Sequence, residues 1–439
     1  MQNVDTLIHG GWVIPVEPAD LVLEHHSVAI HDGRIIAILP TKEALKQFQP
    51  QQQHDRRDHL ITPGLINSHT HAAMSLMRGL ADDLPLMRWL NEHIWPAEAK
   101  WVSSEFVRDG SELAIAEMVR GGITCFNDMY FFPQATAEAA QRAGMRAVVG
   151  LIVLDFPTAW AKDGDHYLHK GLEAYDEIKG YPLITTAFAP HGPYTVSDPY
   201  LERIVTYAEE LDTPIHMHVH ETAAEIEASL KQYGQRPLAR LEALGLLSPR
   251  LQAIHMTQLL PAEINRFAKL AAHVVHCPES NLKLASGFCP VATLQQAAIN
   301  VALGTDGAAS NNDLDLFSEM RTAALLGKAV SGDASAVNAM QALRMATING
   351  ARALGLEQIC GSLEIGKAAD IIAVNLNTLE SRPFYHPISQ LVYATGRHQV
   401  TDVWVAGQLL LHHRQLTRMD EGEILARSSI WQNKLMENS

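Results

Sequence analysis

The sequence predicts an α/β protein: a (β/α)8 TIM barrel with a small β-sandwich domain formed by both chain ends. Through the middle of the chain, short apolar runs of strand composition alternate with amphipathic helical segments. The alternation gives eight strand-then-helix units over roughly 285 residues, the usual size of such a barrel. Blocks of short strands punctuated by glycine flank this region. We therefore expect a β-sandwich from residues 1–60 and 361–420, a barrel from residues 61–360 and a helical tail at 421–439.

The two flanking blocks share a strand-turn-strand pattern. In the first block, the apolar run at 27–38 is divided by Asp32-Gly33, a pair typical of a tight hairpin. In the second block, short strands are expected at 361–374 and 401–411. We expect the two blocks to pair with each other in one small domain.

The barrel strands are predicted from apolar runs, and the helices between them from amphipathic ones. The first strand ends at His69. The later strands are expected at 123–127, 147–154, 184–189, 215–219, 251–255, 273–276 and 301–303. Examples of the intervening helices are expected at 105–119, 133–143, 200–211 and 262–271.

Composition and charge narrow the class of protein. The chain has 439 residues, of which 47% are hydrophobic, and a formal net charge of −15 at pH 7. That charge argues against nucleic acid or an anionic membrane as a partner. Four cysteines, Cys125, Cys277, Cys289 and Cys360, lie far apart without a C-x-x-C pair, so neither a disulfide framework nor a thiolate zinc site is indicated.

The start of the chain and its hydropathy predict a cytoplasmic protein. Residues 1–20 have no basic stretch followed by an apolar one, as a signal peptide would. No run reaches the roughly 18 apolar residues that a membrane-spanning helix needs. We expect a small-molecule substrate, while association into a homo-oligomer stays open.

In a (β/α)8 barrel the active site lies at the carboxyl ends of the strands. The segment 60–71, LITPGLINSHTH, ends a predicted strand with His69 and His71. Alternate strand residues share a face, and imidazole nitrogens suit zinc and iron, so this pair can take two corners of one metal site. An isolated pair of this kind is more often solvent-facing, so the interpretation depends on further ligands from later strands.

Strand five supplies the most polar strand end, PIHMHVHET. His216, His218 and His220 alternate, and Glu221 follows at once. Buried polar groups need hydrogen-bonding partners, so three inward imidazoles and a carboxylate are not expected as ordinary core residues. One metal ligand, His218, and one acid–base group, Glu221, explain two of them. We expect His216 to be a supporting or packing histidine and leave His220 open.

Strands six and eight add one candidate each. His255 ends strand six and is either a hydrogen-bonded core residue or part of the site. Asp306 follows strand eight, where it is either a turn residue or, next to strand one in a closed barrel, a ligand of the same metal. The predicted ligands of one divalent ion are His69, His71, His218 and Asp306, an open set suited to catalytic Zn²⁺, with Fe²⁺ or another divalent ion as alternatives. Strand four, 183–191, contains no lysine to bridge two ions, which favours a single one.

Four motifs carry a resemblance to a known family: TPGLINSHTH, PIHMHVHET, HCPESNLKLASG and GTDGAASNNDLDLFSEMR. Together they resemble the amidohydrolase superfamily, and within it the methylthioadenosine/S-adenosylhomocysteine deaminase family of TRZ/ATZ-like aminohydrolases. The resemblance implies the same four ligands, Glu221 as proton shuttle and His255 as the residue that orients the attacking water. It also implies that Glu98 is a ribose anchor and that His191 contacts the substrate. Two departures stand out: His220 occupies a position where a small residue is commoner, and 154–170 lacks an arginine that some relatives use at the far end of the substrate.

These residues predict a zinc-dependent hydrolytic deaminase. Zinc lowers the pKa of bound water to about 7. Asp306 can accept the water proton, His255 can orient the attacking oxygen, and Glu221 can protonate the ring nitrogen next to the amino-bearing carbon. We expect methylthioadenosine, S-adenosylhomocysteine and/or adenosine to be converted to the corresponding inosine derivative plus ammonia.

Two other functions remain open. Another aminated ring, guanine-type or triazine, would require the same metal set and changes only at pocket residues such as Glu98 and His191. A metal-dependent binder without catalysis is the second alternative, but it needs neither Glu221 nor His255. Trp89, Trp95 and Trp101 are expected to be packing anchors. Ser280 and Asn281 are ambiguous, because they either shape the pocket or close a turn.

Overall fold

The computed structural model of the chain describes residues 1–436 and confirms the predicted barrel. Eight parallel strands lie side by side in sequence order. The last strand meets the first where the backbone N–H groups of Thr305 and Asp306 both donate to the His69 carbonyl at 3.1 Å. The barrel strands are β6 (Leu65–Thr70), β7 (Ile123–Asp128), β8 (Arg146–Val153), β9 (Ile184–Pro190), β10 (Ile215–Val219), β11 (Leu251–His255), β12 (His273–His276) and β13 (Asn300–Leu303).

The helices follow from local capping signals as well as from amphipathic patterns. Ser103 and Asp163 each accept from a backbone N–H group in the first turn of the helix that follows, and Gly144 ends another helix with a φ of 74°. The helices outside the chain ends are α2 (Leu86–Trp89), α3 (Trp95–Trp101), α4 (Ser104–Arg120), α5 (Pro133–Ala143), α6 (Gly164–Ile178), α7 (Asp198–Glu210), α8 (Ala223–Tyr233), α9 (Pro237–Ala243), α10 (Pro261–Lys269), α11 (Pro278–Lys283), α12 (Val291–Gln296), α13 (Leu316–Ser331), α14 (Ala339–Met345) and α15 (Ile348–Ala353).

Both chain ends build a second sheet, as predicted. Its long strand β5 (Phe48–Pro63) pairs parallel with β1 (Gln2–Val13) and antiparallel with β14 (Ile371–Asn375), and so joins the two ends. The sheet curls until the turn at Gly33 meets the turn at Gly407, where a Cβ on Gly33 would lie 2.6 Å from the Ala406 carbonyl oxygen. The other elements are β2 (Leu23–Glu24), β3 (His26–His31), β4 (Arg34–Pro40), α1 (Thr41–Gln47), α16 (Pro387–Tyr393), β15 (Val400–Val405), β16 (Gln408–His412) and β17 (Gln415–Leu416).

The junctions between the predicted regions are tight. Strand β5 continues to Pro63, so only Gly64 separates the second sheet from the first barrel strand. A Cβ at Gly64 would lie 2.1 Å from the Thr124 side chain, which leaves room for glycine alone. At the other end, helix α17 (Glu421–Met436) lies in the predicted tail, whose last residues, 437–439, are outside the described part. The division into 1–60 with 361–420, 61–360 and 421–439 remains a prediction.

A buried ion pair fixes the second sheet against the barrel. Arg146, at the start of β8, donates to Asp370 from Nε at 2.7 Å and from Nη2 at 3.1 Å. Asp370 Oδ1 also accepts from the backbone N–H of Ala406 at 2.7 Å. Both side chains are almost fully buried. The carboxylate therefore neutralises a charge at the interface of the two sheets.

Two sequence expectations concern the whole chain. The four cysteines are buried, and none forms a disulfide. Within residues 1–436, helices that combine the length and the apolar character required to cross a membrane do not occur.

We predict that Asp370→Ala destabilises the protein by about 3–5 kcal/mol, since it leaves the Arg146 charge buried without a partner. Urea-induced unfolding of the variant and the parent measures the difference. The matched control is Asp165→Asn, which breaks an ion pair with Arg203 whose side chains are 71% and 41% exposed. There we expect a change below about 1 kcal/mol. Equal effects of the two substitutions would contradict the prediction.

Candidate active site

The four predicted metal ligands converge at the carboxyl ends of the barrel strands. One donor atom from each of His69, His71, His218 and Asp306 lies within 4.8 Å of the others. The Nε2 atoms of His69 and His218 are 3.2 Å apart. Asp306 Oδ1 lies 3.3 Å from His69 Nε2 and 3.2 Å from His71 Nε2. The chain thus brings three imidazoles and one carboxylate around a single point.

The hydrogen bonds behind these rings leave their inner nitrogens free for a metal. His71 Nδ1 lies 2.6 Å from the Met129 carbonyl, and His218 Nδ1 lies 2.7 Å from the His191 carbonyl. A carbonyl only accepts, so each Nδ1 must carry a proton, and in the neutral ring the remaining nitrogen, Nε2, presents a lone pair to the site. Neutral imidazoles and a carboxylate are ligands that a divalent ion such as zinc prefers. The donor set therefore fits the predicted metal.

Asp306 is held by three groups, of which the sequence analysis singles out only Ser280. Its Oδ1 faces the histidines and accepts from the Gly307 N–H at 2.8 Å. Its Oδ2 accepts from the hydroxyls of Ser280, at 2.6 Å, and Ser310, at 2.9 Å. Ser280 thus shapes the site as well as opening helix α11.

Glu221 and His255 lie together beside the ligand set. Glu221 Oε2 is 4.0 Å from His255 Nε2, and both side chains are buried. Burial raises the pKa of Glu221 above the ordinary glutamate value. This carboxyl group therefore keeps a proton at a higher pH than an exposed one.

Two residues to which the sequence analysis gave no definite role hold this pair in place. Asn281 Oδ1 lies 2.8 Å from His255 Nδ1. The Glu225 carboxylate accepts from the backbone N–H groups of His220, at 2.9 Å, and Glu221, at 2.7 Å. The sequence does contain a signal for Glu225, because Thr222-x-x-Glu225 has the sequence pattern of a capping box, although here the carboxylate binds the two residues before Thr222 instead.

His220, whose role was left open, points away from the metal ligands. Its backbone adopts a left-handed φ of 55°, which interrupts the alternation of β10. Its Nε2 accepts from the Leu238 N–H at 3.1 Å. His220, one residue after β10, therefore contacts the start of α9 and adds no fifth donor to the site.

Glu98 and His191 face the same cavity as the metal ligands. Glu98, on α3, accepts from the Tyr130 hydroxyl at 2.7 Å. Burial raises the pKa of Glu98 to about 7, although the Tyr130 hydrogen bond opposes the rise. The His191 ring packs 4.7 Å from the His218 ring, and burial lowers the pKa of His191 to about 3. Nothing in the sequence marked Tyr130, a single tyrosine after β7.

The cavity has a volume of about 370 Å³ and two unlike ends. The predicted metal ligands His71, His218 and Asp306, with Glu221 and His255, form the polar end. His69 lies behind them and is fully buried. In the described part of the chain, neither arginine nor lysine lines the cavity. Its apolar wall includes Leu86, Trp89, Ile94, Trp95, Leu154 and Phe156, so two of the three tryptophans expected as packing anchors also line the pocket.

A sequence model of the amidohydrolase family matches residues 60–410, which include the barrel and all the site residues. This chain belongs to the amidohydrolase family. The predicted family is therefore confirmed.

Two relatives of this amidohydrolase carry the same name. The 5-methylthioadenosine/S-adenosylhomocysteine deaminase of Teredinibacter turnerae is 52% identical over 99% of this chain and 98% of its own length. The protein of the same name from Saccharophagus degradans is 52% identical over 98% of this chain and 97% of its own. These similarities confirm the predicted class of enzyme, a hydrolytic deaminase.

Solved amidohydrolase structures agree in fold. An adenosine deaminase from Xanthomonas campestris with bound zinc is 54% identical, with a TM-score of 0.98 over 99% of both chains. Atrazine chlorohydrolase TrzN from Arthrobacter aurescens TC1, complexed with zinc, is 26% identical, with a TM-score of 0.90 over 97% of this chain and 100% of its own. The donor set in this chain and the zinc in these structures together support a divalent metal in the site.

We predict that His69→Ala abolishes tight binding of a divalent ion by this amidohydrolase, because it removes a donor at the centre of the set. Elemental analysis of the purified variant and the parent gives the metal content. The control is His276→Ala, which removes an equally buried histidine of β12 outside the ligand set. A His69→Ala variant that keeps the parent's metal content would exclude His69 as a ligand.

Proposed function

We propose that this chain is a zinc-dependent deaminase of purine nucleosides that converts methylthioadenosine and adenosine to the corresponding inosines and ammonia, with S-adenosylhomocysteine as a poorer substrate. The proposal rests on one observation, the set of residues that line a single cavity. A metal-binding set and a buried acid–base pair lie at one end, and the Glu98 carboxylate lies on the wall. A volume of about 370 Å³ is within the range of small-molecule sites.

The proposed site holds one zinc ion through His69, His71, His218 and Asp306. A single ion is supported by β9, Ile184–Pro190, which has no lysine that could bridge a second. A divalent ion bound there acts as a Lewis acid and brings the pKa of a coordinated water to about 7. Iron(II) uses similar ligands, so metal analysis of the purified protein decides the native ion.

The side chains then divide the proton transfers. Glu221 gives its proton to the ring nitrogen beside the amino-bearing carbon, so that the ring accepts electrons as the water oxygen bonds to that carbon. Asp306 accepts the proton released by the water and passes it to the amine. The carbon–nitrogen bond breaks, ammonia leaves, and the proton on the oxygen that is now bound to the ring carbon returns to Glu221 as the carbonyl forms. The raised pKa of Glu221 supports its role as the proton donor.

His255 is proposed to orient the attacking water. Its ring lies beside Glu221, and its Nδ1 is tied to Asn281, so the ring cannot turn freely. His191, whose pKa is lowered, stays neutral at physiological pH and is a candidate hydrogen-bonding partner for the purine.

Glu98 is the proposed anchor of the ribose hydroxyls. A carboxylate offers about four acceptor positions, of which the Tyr130 hydroxyl uses one. Two hydroxyls of a ribose can use two others. A site built around such an acceptor rejects free bases, because they leave it unpaired.

The apolar wall favours a short apolar 5′ group over a charged one. Trp95, Leu154 and Phe156 line this wall. Lys170, which with Lys162 is one of the two lysines in the segment 154–170, is engaged elsewhere, because its Nζ donates to the Trp160 carbonyl at 2.6 Å. A homocysteine tail would bring a carboxylate and an ammonium into the cavity without a cationic partner, which supports methylthioadenosine as the better substrate.

We also propose a cytoplasmic location, which agrees with four buried cysteines that remain free thiols. The sequence leaves the oligomeric state open, and light scattering of the purified protein decides it.

An ammonia-release screen tests the proposal. It compares methylthioadenosine, adenosine and S-adenosylhomocysteine with adenine, guanine and aminated triazines, using metal-replete protein. We expect the nucleosides to be deaminated and the free bases and triazines to react little. Efficient turnover of guanine or a triazine would replace the proposal by that activity, and binding without ammonia release would indicate a non-catalytic binder.

We predict that Glu221→Gln slows deamination by at least about 10², because the amide cannot donate the proton that the ring nitrogen needs. The metal content and the Kd for methylthioadenosine should stay near the parent values. Steady-state kinetics and elemental analysis on the same preparation separate these effects. Turnover close to that of the parent would exclude Glu221 as the proton donor.

We predict that Glu98→Gln raises KM for nucleosides and makes kcat/KM less dependent on pH. With a pKa near 7, the Glu98 carboxyl of the parent loses acceptor capacity as the pH falls below 7, so kcat/KM should fall in the same range. The amide introduced by the substitution does not titrate, so the variant should show a flatter profile between about pH 6 and 8. The control is Glu105→Gln, at an exposed glutamate. Identical profiles for Glu98→Gln and the parent would refute the ribose anchor.

A further inference from the structure

A chain of buried polar side chains runs behind the metal site to the far side of the barrel. His69 Nδ1 lies 2.8 Å from His216 Nε2, and His216 Nδ1 lies 2.9 Å from Gln252 Oε1. Gln252 Nε2 lies 2.7 Å from the carbonyl oxygen of Ala353, at the end of α15. His69, His216 and Gln252 are each 0% exposed. The proposed reaction uses neither His216 nor Gln252.

The direction of every hydrogen bond in this chain follows from its last member. The Ala353 carbonyl can only accept, so the Gln252 amide must turn its NH₂ group towards it. The amide oxygen then faces His216 and accepts from Nδ1–H. Because a neutral imidazole carries one proton, His216 Nε2 is an acceptor and takes the Nδ1–H of His69. His69 Nε2 is thereby left with a lone pair that faces the other ligands.

One other donor, on Asn127, could compete for His216 Nδ1, but its geometry is less favourable. Asn127 Nδ2 is 3.1 Å from His216 Nδ1, but it also lies 2.8 Å from Gln252 Oε1, to which it donates. If it donated to His216 instead, an unprotonated Nδ1 would face the Gln252 oxygen at 2.9 Å, with two lone pairs in contact. His216 would then donate from Nε2, and the His69 proton would move to the nitrogen that has to bind the metal.

We propose that His216 and Gln252 are positioning residues for the metal centre: they hold His69 in the tautomer whose Nε2 can bind a divalent ion. His69 needs this help more than the other ligands do. His71 and His218 have backbone carbonyls as partners, which fix their tautomers directly, whereas the partner of His69 is an imidazole that can donate or accept. Gln252 and the Ala353 carbonyl remove that ambiguity. The inference rests on the metal site of the proposed function but not on its substrate.

Two pairs of substitutions test the proposal, with Zn²⁺ affinity as the readout. Metal-depleted protein is titrated with Zn²⁺ against a chromophoric chelator, so deaminase activity does not enter. Gln252→Met keeps the length of the side chain and removes both hydrogen bonds, while Gln252→Glu, when protonated in this buried position, can still donate to Ala353 and accept from His216. His216→Phe removes the acceptor for His69, and His216→Gln keeps one. The control is His276→Phe, which changes a buried histidine of β12 outside the chain of hydrogen bonds.

We expect Gln252→Met and His216→Phe to weaken Zn²⁺ binding by about 10- to 100-fold, and the Glu and Gln variants to recover much of that loss. His276→Phe should bind like the parent. The proposal is overturned if the apolar variants keep the parent affinity, or if the polar variants lose as much as the apolar ones. Loss of affinity in His276→Phe as well would show a general packing effect and also overturn it. A protein that binds Zn²⁺ as expected but releases no ammonia would refute the proposed function and leave this inference standing.

A measurement on the parent protein covers the case in which a variant does not fold. Long-range ¹H–¹⁵N correlation spectra of histidine-labelled, metal-depleted protein report which ring nitrogen carries the proton. We expect Nδ1–H for both His69 and His216, with the two signals identified by their shifts on addition of Zn²⁺ and in Gln252→Glu. Finding Nε2–H on His216 would overturn the proposal without any substitution.

Discussion

The hydrogen bonds that close the barrel at the His69 carbonyl are the interaction on which the rest of the structure depends. Thr305 and Asp306 donate to this one oxygen, so the residue that joins the first and last strands is a predicted metal ligand, and one of its two backbone donors, Asp306, is another. The approach is so close that a Cβ at Gly304 would lie 2.8 Å from the His69 Cβ. The contacts that close the barrel therefore also place His69 and Asp306 next to each other.

That coupling explains why so many polar groups lie inside the barrel. Asn67, Asn127, His216 and Gln252 are all fully buried, where apolar side chains would pack without needing partners. Asn67 donates to the Thr305 hydroxyl at 2.8 Å and accepts from the Thr305 N–H at 3.0 Å, so it supports the seam, the junction between the first and last barrel strands at His69. The others lead away from His69. The interior polar groups thus have two roles: they stabilise the seam and they orient the predicted metal ligands. Most of their hydrogen-bonding partners also lie within the barrel.

The sequence predicted most of the fold because strand and helix periodicities are local. Strands β10, β11 and β12 begin and end where their apolar runs do, and the ligands follow from strand ends that converge in any closed barrel. The parts that could not be predicted depend on contacts between distant segments. Tyr130 is 32 residues from Glu98, Asn281 is 26 from His255, and Gln252 is 36 from His216. No periodicity marks such partners, since each is defined by where two side chains meet in the folded chain.

Different parts of the fold supply the predicted metal ligands and the rest of the cavity lining. The polar end of the cavity is made of strand ends that the closed barrel fixes, whereas Trp95 and Glu98 come from the segment between β6 and α4, and Phe156 from the segment after β8. These connecting segments can change without moving the seam at His69. The same fold is shared with a zinc-bound atrazine chlorohydrolase at 26% identity, which agrees with a frame that holds the metal while its loops select the ring. In this chain those segments contribute the Glu98 carboxylate and the apolar side chains of Trp95 and Phe156 to the lining of the cavity.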